Sequence, residues 1–444
     1  VHALLTDLYQ LTMAAGYFEA GKAGEKATFE LFVRRLPANR SFLLTAGLEQ
    51  AVEYLLNLRF EANEIEYLRG LPQFATISPE FFRMLAGLRF SGDLFAMPEG
   101  TPVFGGEPIL IVRAPLIEAQ IPETYLLSTI AFQTLVATKA ARITEIAGGR
   151  SVVEFGTRRA HSPGAGLLAG RAAYIGGCIG TSNTLTGMRY GVPVFGTAAH
   201  SWVQAFPEEM ESFRQLQNLL GENTVYLIDT YDTLEGARKA VSLGRPVWGV
   251  RLDSGNLAEL SRQVRRILDD GGLTDAKIMA SGDLNEYRIL ELMASNAPID
   301  VFGVGTDLAT SSDLPSLGAV YKLVEMETAS GKRYTAKFSQ DKVTLPGAKQ
   351  VFRYPDHDLV GCSWECPSCG PGGEQSEALL RPVILNGELV APLPGASAAR
   401  DRARERLRRL PAALRGLFEE HAHWKVEYSQ ELLALFERVR QTHV

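Results

Sequence analysis

Short apolar strands recur through the middle of this chain, and each ends in Gly, Thr, Asp or Ser before helix-like sequence begins. They are Ser151-Val152-Val153-Glu154-Phe155-Gly156, Ile179-Gly180-Thr181-Ser182, Val192 to Thr197, Val225-Tyr226-Leu227-Ile228-Asp229-Thr230, Val247 to Gly255, Ile278 to Asp283, and Val301 to Asp307. Strand alternating with helix at this interval means a parallel sheet. Seven such units with polar residues always at the same ends favour a βα barrel over an open sheet. In such barrels the chemistry sits at the C-terminal ends of the strands.

The flanks read differently. At 444 residues the chain exceeds one ordinary core, so two or three domains are expected. Residues 1–115 form an α+β domain: a helix opened by Thr6 or Asp7, an alternating strand Ala27 to Val33, helices broken by Pro72 and Pro79, then strands over 92–113. The barrel occupies 116–318, opening with helical material over 118–147. Residues 319–444 carry hairpin-like strands to 354, a Gly/Pro/Cys-rich loop at 361–373, further strands and two C-terminal helices. The first of these helices, Arg400 to Arg409, reads as a solvated face rather than a nucleic-acid arm, because Asp401 and Glu405 interrupt its basic run. The 45 basic against 51 acidic side chains, a balance of −6, argue the same way, since a phosphate backbone wants a basic face. No apolar run approaches the roughly 18 residues of a membrane span. Asp7 without a basic leader argues against a signal peptide. Three of the four cysteines bunch together rather than forming a disulfide framework, so a cytoplasmic setting is expected.

Polar residues at the strand ends carry the candidate chemistry. His200 follows Val192-Pro193-Val194-Phe195-Gly196-Thr197-Ala198-Ala199, at a strand exit beside small neighbours. A lone loop histidine is usually structural, but here the other strand ends supply Arg158, Arg159, Asn183, Asp229, Arg251, Asp253 and Asp283. Each arginine could be an ordinary surface ion pair. Arg251, however, lies between apolar residues, and a buried guanidinium there needs an anion such as a carboxylate or phosphate. Asp229, Asp253 and Asp283 could hold ribose hydroxyls or magnesium, or simply cap the helices that follow. The loops Ser281-Gly282-Asp283 and Gly303-Val304-Gly305-Thr306 could be tight turns or a phosphate site after the last strands. Neither matches a dinucleotide fingerprint, and no Walker-type Gly-Lys-Ser/Thr is present, so a sugar phosphate fits better. Cys362, Cys366 and Cys369 fit a structural zinc knuckle, but tetrahedral zinc wants a fourth ligand, for which His357 is the nearest candidate. The cluster is equally readable as a metal-free loop.

With these motifs laid out, the chain resembles the nicotinate phosphoribosyltransferases. The resemblance rests on Thr6-Asp7-Leu8-Tyr9-Gln10-Leu11-Thr12, Glu154-Phe155-Gly156-Thr157-Arg158-Arg159-Ala160, Gly180-Thr181-Ser182-Asn183-Thr184 and Gly196-Thr197-Ala198-Ala199-His200-Ser201. It continues through Gly249 to Gly255, Ser281-Gly282-Asp283-Leu284-Asn285, Phe302 to Thr306 and Pro346 to Val351, in family order across residues 1–354. The cysteine loop and C-terminal helices fall outside it.

The resemblance implies an irregular βα barrel plus an α/β sandwich domain built from both chain ends, and a homodimer with shared active sites. It implies transfer of the phosphoribosyl group from phosphoribosyl pyrophosphate to nicotinate, the first step of NAD salvage from that base. The products are nicotinate mononucleotide and pyrophosphate, with Mg2+ required and ATP hydrolysed alongside. His200 would be phosphorylated by ATP, with Arg251 and Asp253 completing the catalytic set; an imidazole nucleophile needs its other nitrogen oriented by a neighbour, for which Glu154 and Asp229 are the candidates. Phe155 would stack on the pyridine ring, with Tyr9 reaching over from the other subunit. Arg158, Arg159, Asn183, Thr197, Ser201 and Asp229 would contact substrates. Ser281, Gly282, Asp283, Gly303, Gly305 and Thr306 would line the phosphoribosyl site.

The nearest rival, a nicotinamide phosphoribosyltransferase, reads its amide with an aspartate where Asn183 stands here. Loss of that carboxylate favours the acid, since two carboxylates repel. A quinolinate enzyme would need more basic residues and has a much shorter chain, and a purine-type loop would need two adjacent acids where Asp229-Thr230 supplies one. A non-enzymatic zinc-dependent interaction protein has only the cysteine loop in its favour.

Overall fold

The computed structural model describes residues 2–339, 342–366, 376–417 and 422–442. The chain divides into two compact units, one of residues 1–134, 316–394 and 419–444, the other of 135–315 and 395–418. Both ends of the chain therefore contribute to the first unit. The division falls inside helix Glu123–Ile146, later than the expected boundary at 115.

In the first unit, a seven-stranded sheet runs in the order Gly331–Tyr334, Ala319–Thr328, Lys26–Val33, Pro108–Pro115, Asp93–Ala96, Arg381–Leu385, Glu388–Leu389. Its pairs are antiparallel. Lys26–Val33 alternates in sequence, which predicts one wet face, yet all but its first residue are buried. The reason is position: the strand is flanked by Ala319–Thr328 on one edge and Pro108–Pro115 on the other, helix Leu116–Gln120 packs against it, and Lys349 Nζ donates to Glu30 Oε2 at 2.8 Å, so its polar side chains are covered as well. Phe29 stacks on Tyr321 across the first of these pairs, with centroids 4.9 Å apart. As expected, the helices of this stretch are interrupted at Pro72 and Pro79, after helix Ala62–Arg69. Pro72 opens a 3-10 turn and Pro79 occupies the first position of helix Pro79–Gly87, where a missing N–H costs nothing. A second, four-stranded sheet pairs Glu377–Ala378, Lys349–Arg353, His357–Cys362 and Lys425–Tyr428.

The second unit is built on a parallel sheet in the order Gly180–Thr181, Ser151–Glu154, Val301–Val304, Lys277–Ala280, Gly249–Leu252, Val225–Leu227. Its interior residues include Val153, Val250, Leu252, Ile278, Phe302 and Val304, each fully buried. Burying side chains of this size stabilises by roughly 1.5–3 kcal/mol apiece before chain entropy is counted. The expected strand at Val192 to Thr197 is reduced to one parallel bridge, Thr181 to Val194. Val194 and Phe195 stay partly exposed, and among the described residues no pairing joins this segment to Val225–Leu227.

Each strand is followed by a helix, and all but the one after Val301–Val304, whose N-cap is Gly305, are capped by the side chain of a nearby residue. Ser162, Asn183, Asp232, Asn256 and Asn285 accept from backbone N–H groups of their first turns. Leu257–Asp270 illustrates the packing: its buried residues Leu257, Ser261, Val264 and Leu268 recur at helical spacing. Helix Ala396–Arg409, expected with the first unit, belongs to the second. Its buried face is Ala396, Ala399 and Ala403, small enough for close packing on helix Pro163–Ile175. Arg404, Arg408 and Arg409 are exposed, with Arg404 paired to Asp401 and Arg409 to Glu405, while Arg400 is half-buried over the Tyr174 ring. Among the described residues no helix is long and apolar enough to cross a membrane.

Candidate active site

Capping decides what the strand-end acids are free to do. Asp232, Asn256 and Asn285 cap the helices after Asp229, Asp253 and Asp283, so none of those three aspartates serves as the cap. Asp229 instead accepts from the backbone N–H of Asp253 at 3.0 Å and from Ser254 Oγ at 2.7 Å. Its second oxygen, Oδ1, is buried without a hydrogen-bond partner.

Arg251 is the centre of the arrangement. Its Nε donates to Ser281 Oγ at 2.8 Å, and Nη1 donates to Thr197 Oγ1 at 2.5 Å and the Ala198 carbonyl at 3.3 Å. Nη2 lies 2.8 Å from Asp253 Oδ1. The anion that this guanidinium requires is thus Asp253 itself. Ser281 Oγ in turn donates to Asp253 Oδ1 at 2.5 Å. Burial works against ionisation of Asp253, but the hydrogen bonds from Ser281 and Arg251 and the charges of Arg251 and His200 outweigh it. They hold the carboxyl below its usual range.

His200 begins a short helix, His200–Gln204, and its side chain is 41% exposed. Nδ1 lies 3.1 Å from Thr230 Oγ1, and Nε2 lies 3.8 Å from Asp253 Oδ2. The orienting partner is therefore Thr230, not Glu154 or Asp229. Glu154 is fully buried and occupied elsewhere, accepting from Thr181 Oγ1 and from the Gly156 backbone N–H. Burial raises its carboxyl above the usual range, while those two bonds oppose the shift.

Phe155 packs on Val153, Met279 and Val301, with Ile179 and Trp248 beside it. A Cβ at Gly303 would come within 2.6 Å of the Phe155 ring, so only glycine lets ring and strand approach this closely. Gly282 is equally constrained: its φ is +87° and a Cβ would meet the Asp253 carbonyl at 2.0 Å. Asp283 is exposed in a left-handed conformation (φ 48°), and Gly305 precedes the short helix Thr306–Thr310, whose Thr306 is exposed. Arg158 and Arg159, in the 3-10 turn Thr157–Arg159, are both exposed and near neighbours of Phe155 in the chain. Asn183 caps its helix through Oδ1, 2.9 Å from Thr186 N, and its own N–H donates to Thr181 Oγ1. Ser201 is exposed beside His200.

Tyr9 lies in the other unit, on helix Leu8–Glu19, 48% exposed. Its hydroxyl is shifted upward by burial and by Glu123 and Asp7. The zinc expectation lies partly outside the described residues. Cys362 is buried, and burial pushes its thiol up to about 12. Cys366 is disulfide-bonded and Cys369 lies outside the described residues. His357 Nδ1 is 2.8 Å from Asp356, and no group of three or more metal-binding side chains occurs among the described residues.

Two features escape a reading of the sequence. Thr230 is one of many threonines and nothing local marks it as the histidine's partner. Lys139 and Arg142 stand in the apolar run Leu135 to Ile143, and lone cations in such a helix do signal buried ion pairs.

Comparison with known proteins agrees with this geometry. Residues 4–131 match the family described as nicotinate phosphoribosyltransferase (NAPRTase) N-terminal domain, and residues 136–314 match the quinolinate phosphoribosyl transferase C-terminal domain. Fold and site thus define an enzyme of the pyridine-base phosphoribosyltransferase class. Nicotinate phosphoribosyltransferase pncB2 of Mycobacterium tuberculosis is 44% identical over 99% of this chain and 94% of its own length. The nicotinate phosphoribosyltransferase of Bacillus subtilis is 47% identical over 79% and 73% of the two chains. The crystal structure of human nicotinic acid phosphoribosyltransferase superposes with a TM-score of 0.85 at 31% identity, covering 98% of this chain and 99% of that one. This chain belongs to the nicotinate phosphoribosyltransferase family and is an enzyme of that type.

Proposed function

We propose that the second unit transfers the phosphoribosyl group of phosphoribosyl pyrophosphate to nicotinate, coupled to ATP hydrolysis through His200, as the first step of NAD salvage from that base. The observation that carries this reading is the joined set Thr230, His200, Asp253, Arg251, Ser281 and Thr197, drawn from four strand ends.

In the transfer, the bond from ribose C1 to the pyrophosphate oxygen breaks and the pyridine nitrogen lone pair forms the new C1–N bond. Phe155 supplies a flat apolar face for the ring, and Arg158 and Arg159 bring positive charge to the same turn. Little covalent work falls to the protein, whose part is positioning and charge stabilisation. Asn183 spends its oxygen on the helix cap, so the groups left on that side chain are N–H donors, which suit a carboxylate and would leave a nicotinamide N–H unmatched. Ser281, Gly282, Asp283, Gly303, Gly305 and Thr306 receive the phosphoribosyl group. The barrel and sandwich arrangement of the family, and a homodimer in which a second copy supplies Tyr9, belong to the same reading.

For His200, a proton on Nδ1 facing Thr230 leaves the Nε2 lone pair as nucleophile. Nε2 attacks the γ-phosphorus of ATP, the N–P bond forms, the bond to the bridging oxygen breaks and ADP leaves. Water later returns the imidazole and releases phosphate. Magnesium fits the donor set, because Asp229 Oδ1 is buried without a partner and Asp253 lies beside it, hard oxygen ligands of the right kind. When bound, it would neutralise phosphate charge.

The test is turnover of nicotinate and phosphoribosyl pyrophosphate with magnesium, with and without ATP, repeated with nicotinamide. His200→Ala should abolish ATP stimulation and retain ATP-independent transfer. Full stimulation in that variant, or preference for the amide, rejects the corresponding part of the reading.

A further inference from the structure

At the starts of the helices that follow the two loops assigned to the phosphoribosyl group lies a buried charge cluster apart from the His200–Arg251 set. Lys139 is 1% exposed and comes from the helix that opens the second unit. Its ammonium lies 2.7 Å from Glu286 Oε2, 2.9 Å from Asp313 Oδ1 and 3.4 Å from Asp307 Oδ2. Lysine has three N–H donors, and here three carboxylates surround them. Arg142 adds a second cation, with Nε 3.3 Å from Glu286 Oε1.

Two of these carboxylates sit where the site needs order. Glu286 is the first residue of the helix that follows Ser281-Gly282-Asp283, and Asp307 lies in the first turn of the helix that follows Gly303-Val304-Gly305. We propose that Lys139 is a positioning residue: a buried ammonium that ties the starts of these two helices together and so sets the spacing of the loops that hold the phosphoribosyl group. This rests on the assignment of those loops in the preceding section.

The electrostatics support a holding role. Two cations face three carboxylates, and burial shifts Asp307 upward while Lys139 opposes that shift. Without Lys139, three acids with one remaining cation would stand behind a site for a highly anionic substrate, and they would repel one another. Both effects bear first on phosphoribosyl pyrophosphate binding, while the Phe155 ring, which rests on Gly303, feels them only through that one contact.

Steady-state kinetics on the full chain separate this from a general packing role. Lys139→Met should raise KM for phosphoribosyl pyrophosphate about tenfold, with KM for nicotinate changed less than about threefold. Lys139→Arg, which keeps the charge, should recover a large part of that loss. Asp307→Asn, which cuts only the arm to the Gly303–Gly305 loop at a partly exposed position, should raise the same KM selectively. It also provides the test should Lys139→Met fail to fold. An equal rise in both KM values, or a fall in kcat alone, overturns the proposal, as does an unchanged phosphoribosyl pyrophosphate KM in Asp307→Asn. Absence of turnover in the unmodified enzyme would overturn the underlying loop assignment. Turnover with unselective variants would overturn the Lys139 role alone.

Discussion

Single atoms set the tolerances of this site. The Cβ that Gly303→Ala introduces would land 2.6 Å from the Phe155 ring, so the ring must move. That variant should raise KM for nicotinate by about tenfold or more, with KM for phosphoribosyl pyrophosphate rising as well because Gly303 also lines that loop, measured by varying each substrate in turn. Asp253 offers a pH test with a definite sign. Its folded-state carboxyl lies below the unfolded value near ~3.9, so its stabilisation is complete above that value and is lost as pH falls through the folded one. Asp253→Asn should therefore melt at a lower temperature than the parent at neutral pH, and the gap should close on acidification. A gap independent of pH would mean that charge plays no part. At this scale the sequence was informative about residue type and poor about partnership. Arg251 between apolar neighbours demanded an anion, and it has one, yet nothing in the sequence said that the anion would be Asp253. Likewise His200 was legible as a strand-exit histidine, while its bond to Thr230 depends on two loops thirty positions apart converging.

Elements are held by complementary faces, and the clearest case is helix Ala396–Arg409. Its alanine stripe permits close approach to Pro163–Ile175, and Ala403 is 2% exposed. Ala403→Leu should overpack this contact and destabilise by about 1–3 kcal/mol, read as a shift in the denaturant midpoint without a change in slope. An unchanged midpoint would show that the helix is only loosely attached. The sequence made the helix and its charged outer face visible. Its attachment to the second unit was invisible, because three alanines carry no label for the surface they cover. The strand at Lys26–Val33 failed in a similar way: alternation reports one apolar face, and only distant segments packed over the strand, Lys349 on Glu30 among them, bury the other.

For the molecule as a whole, buried acids set how stability depends on pH. Glu107 is fully buried, and burial, then the charge of Asp358 and a hydrogen bond with it, push its carboxyl well upward against Arg353 and the Phe104 N–H. A raised carboxyl gives its full stabilisation below the unfolded value near ~4.3 and loses it as pH rises toward the folded one. Glu107→Gln should thus exceed the parent in thermal stability at pH 8 and converge with it near pH 4. The opposite ordering at pH 8 would reject the buried-acid account. What the sequence alone determined is the local alphabet: strand after strand with polar ends, the helices between them, and the His, Arg and Asp residues at those ends. These follow from short-range rules of hydrophobic period, caps and turns, each contained within a few consecutive residues. Tertiary structure alone decided the rest: the reduction of the Val192 to Thr197 strand to a bridge, the assignment of helix Ala396–Arg409 to the second unit, and the pairing of Arg251 with Asp253 and Lys139 with its three acids. Those outcomes depend on which distant segments meet, and contacts between distant segments leave no periodic trace in either one.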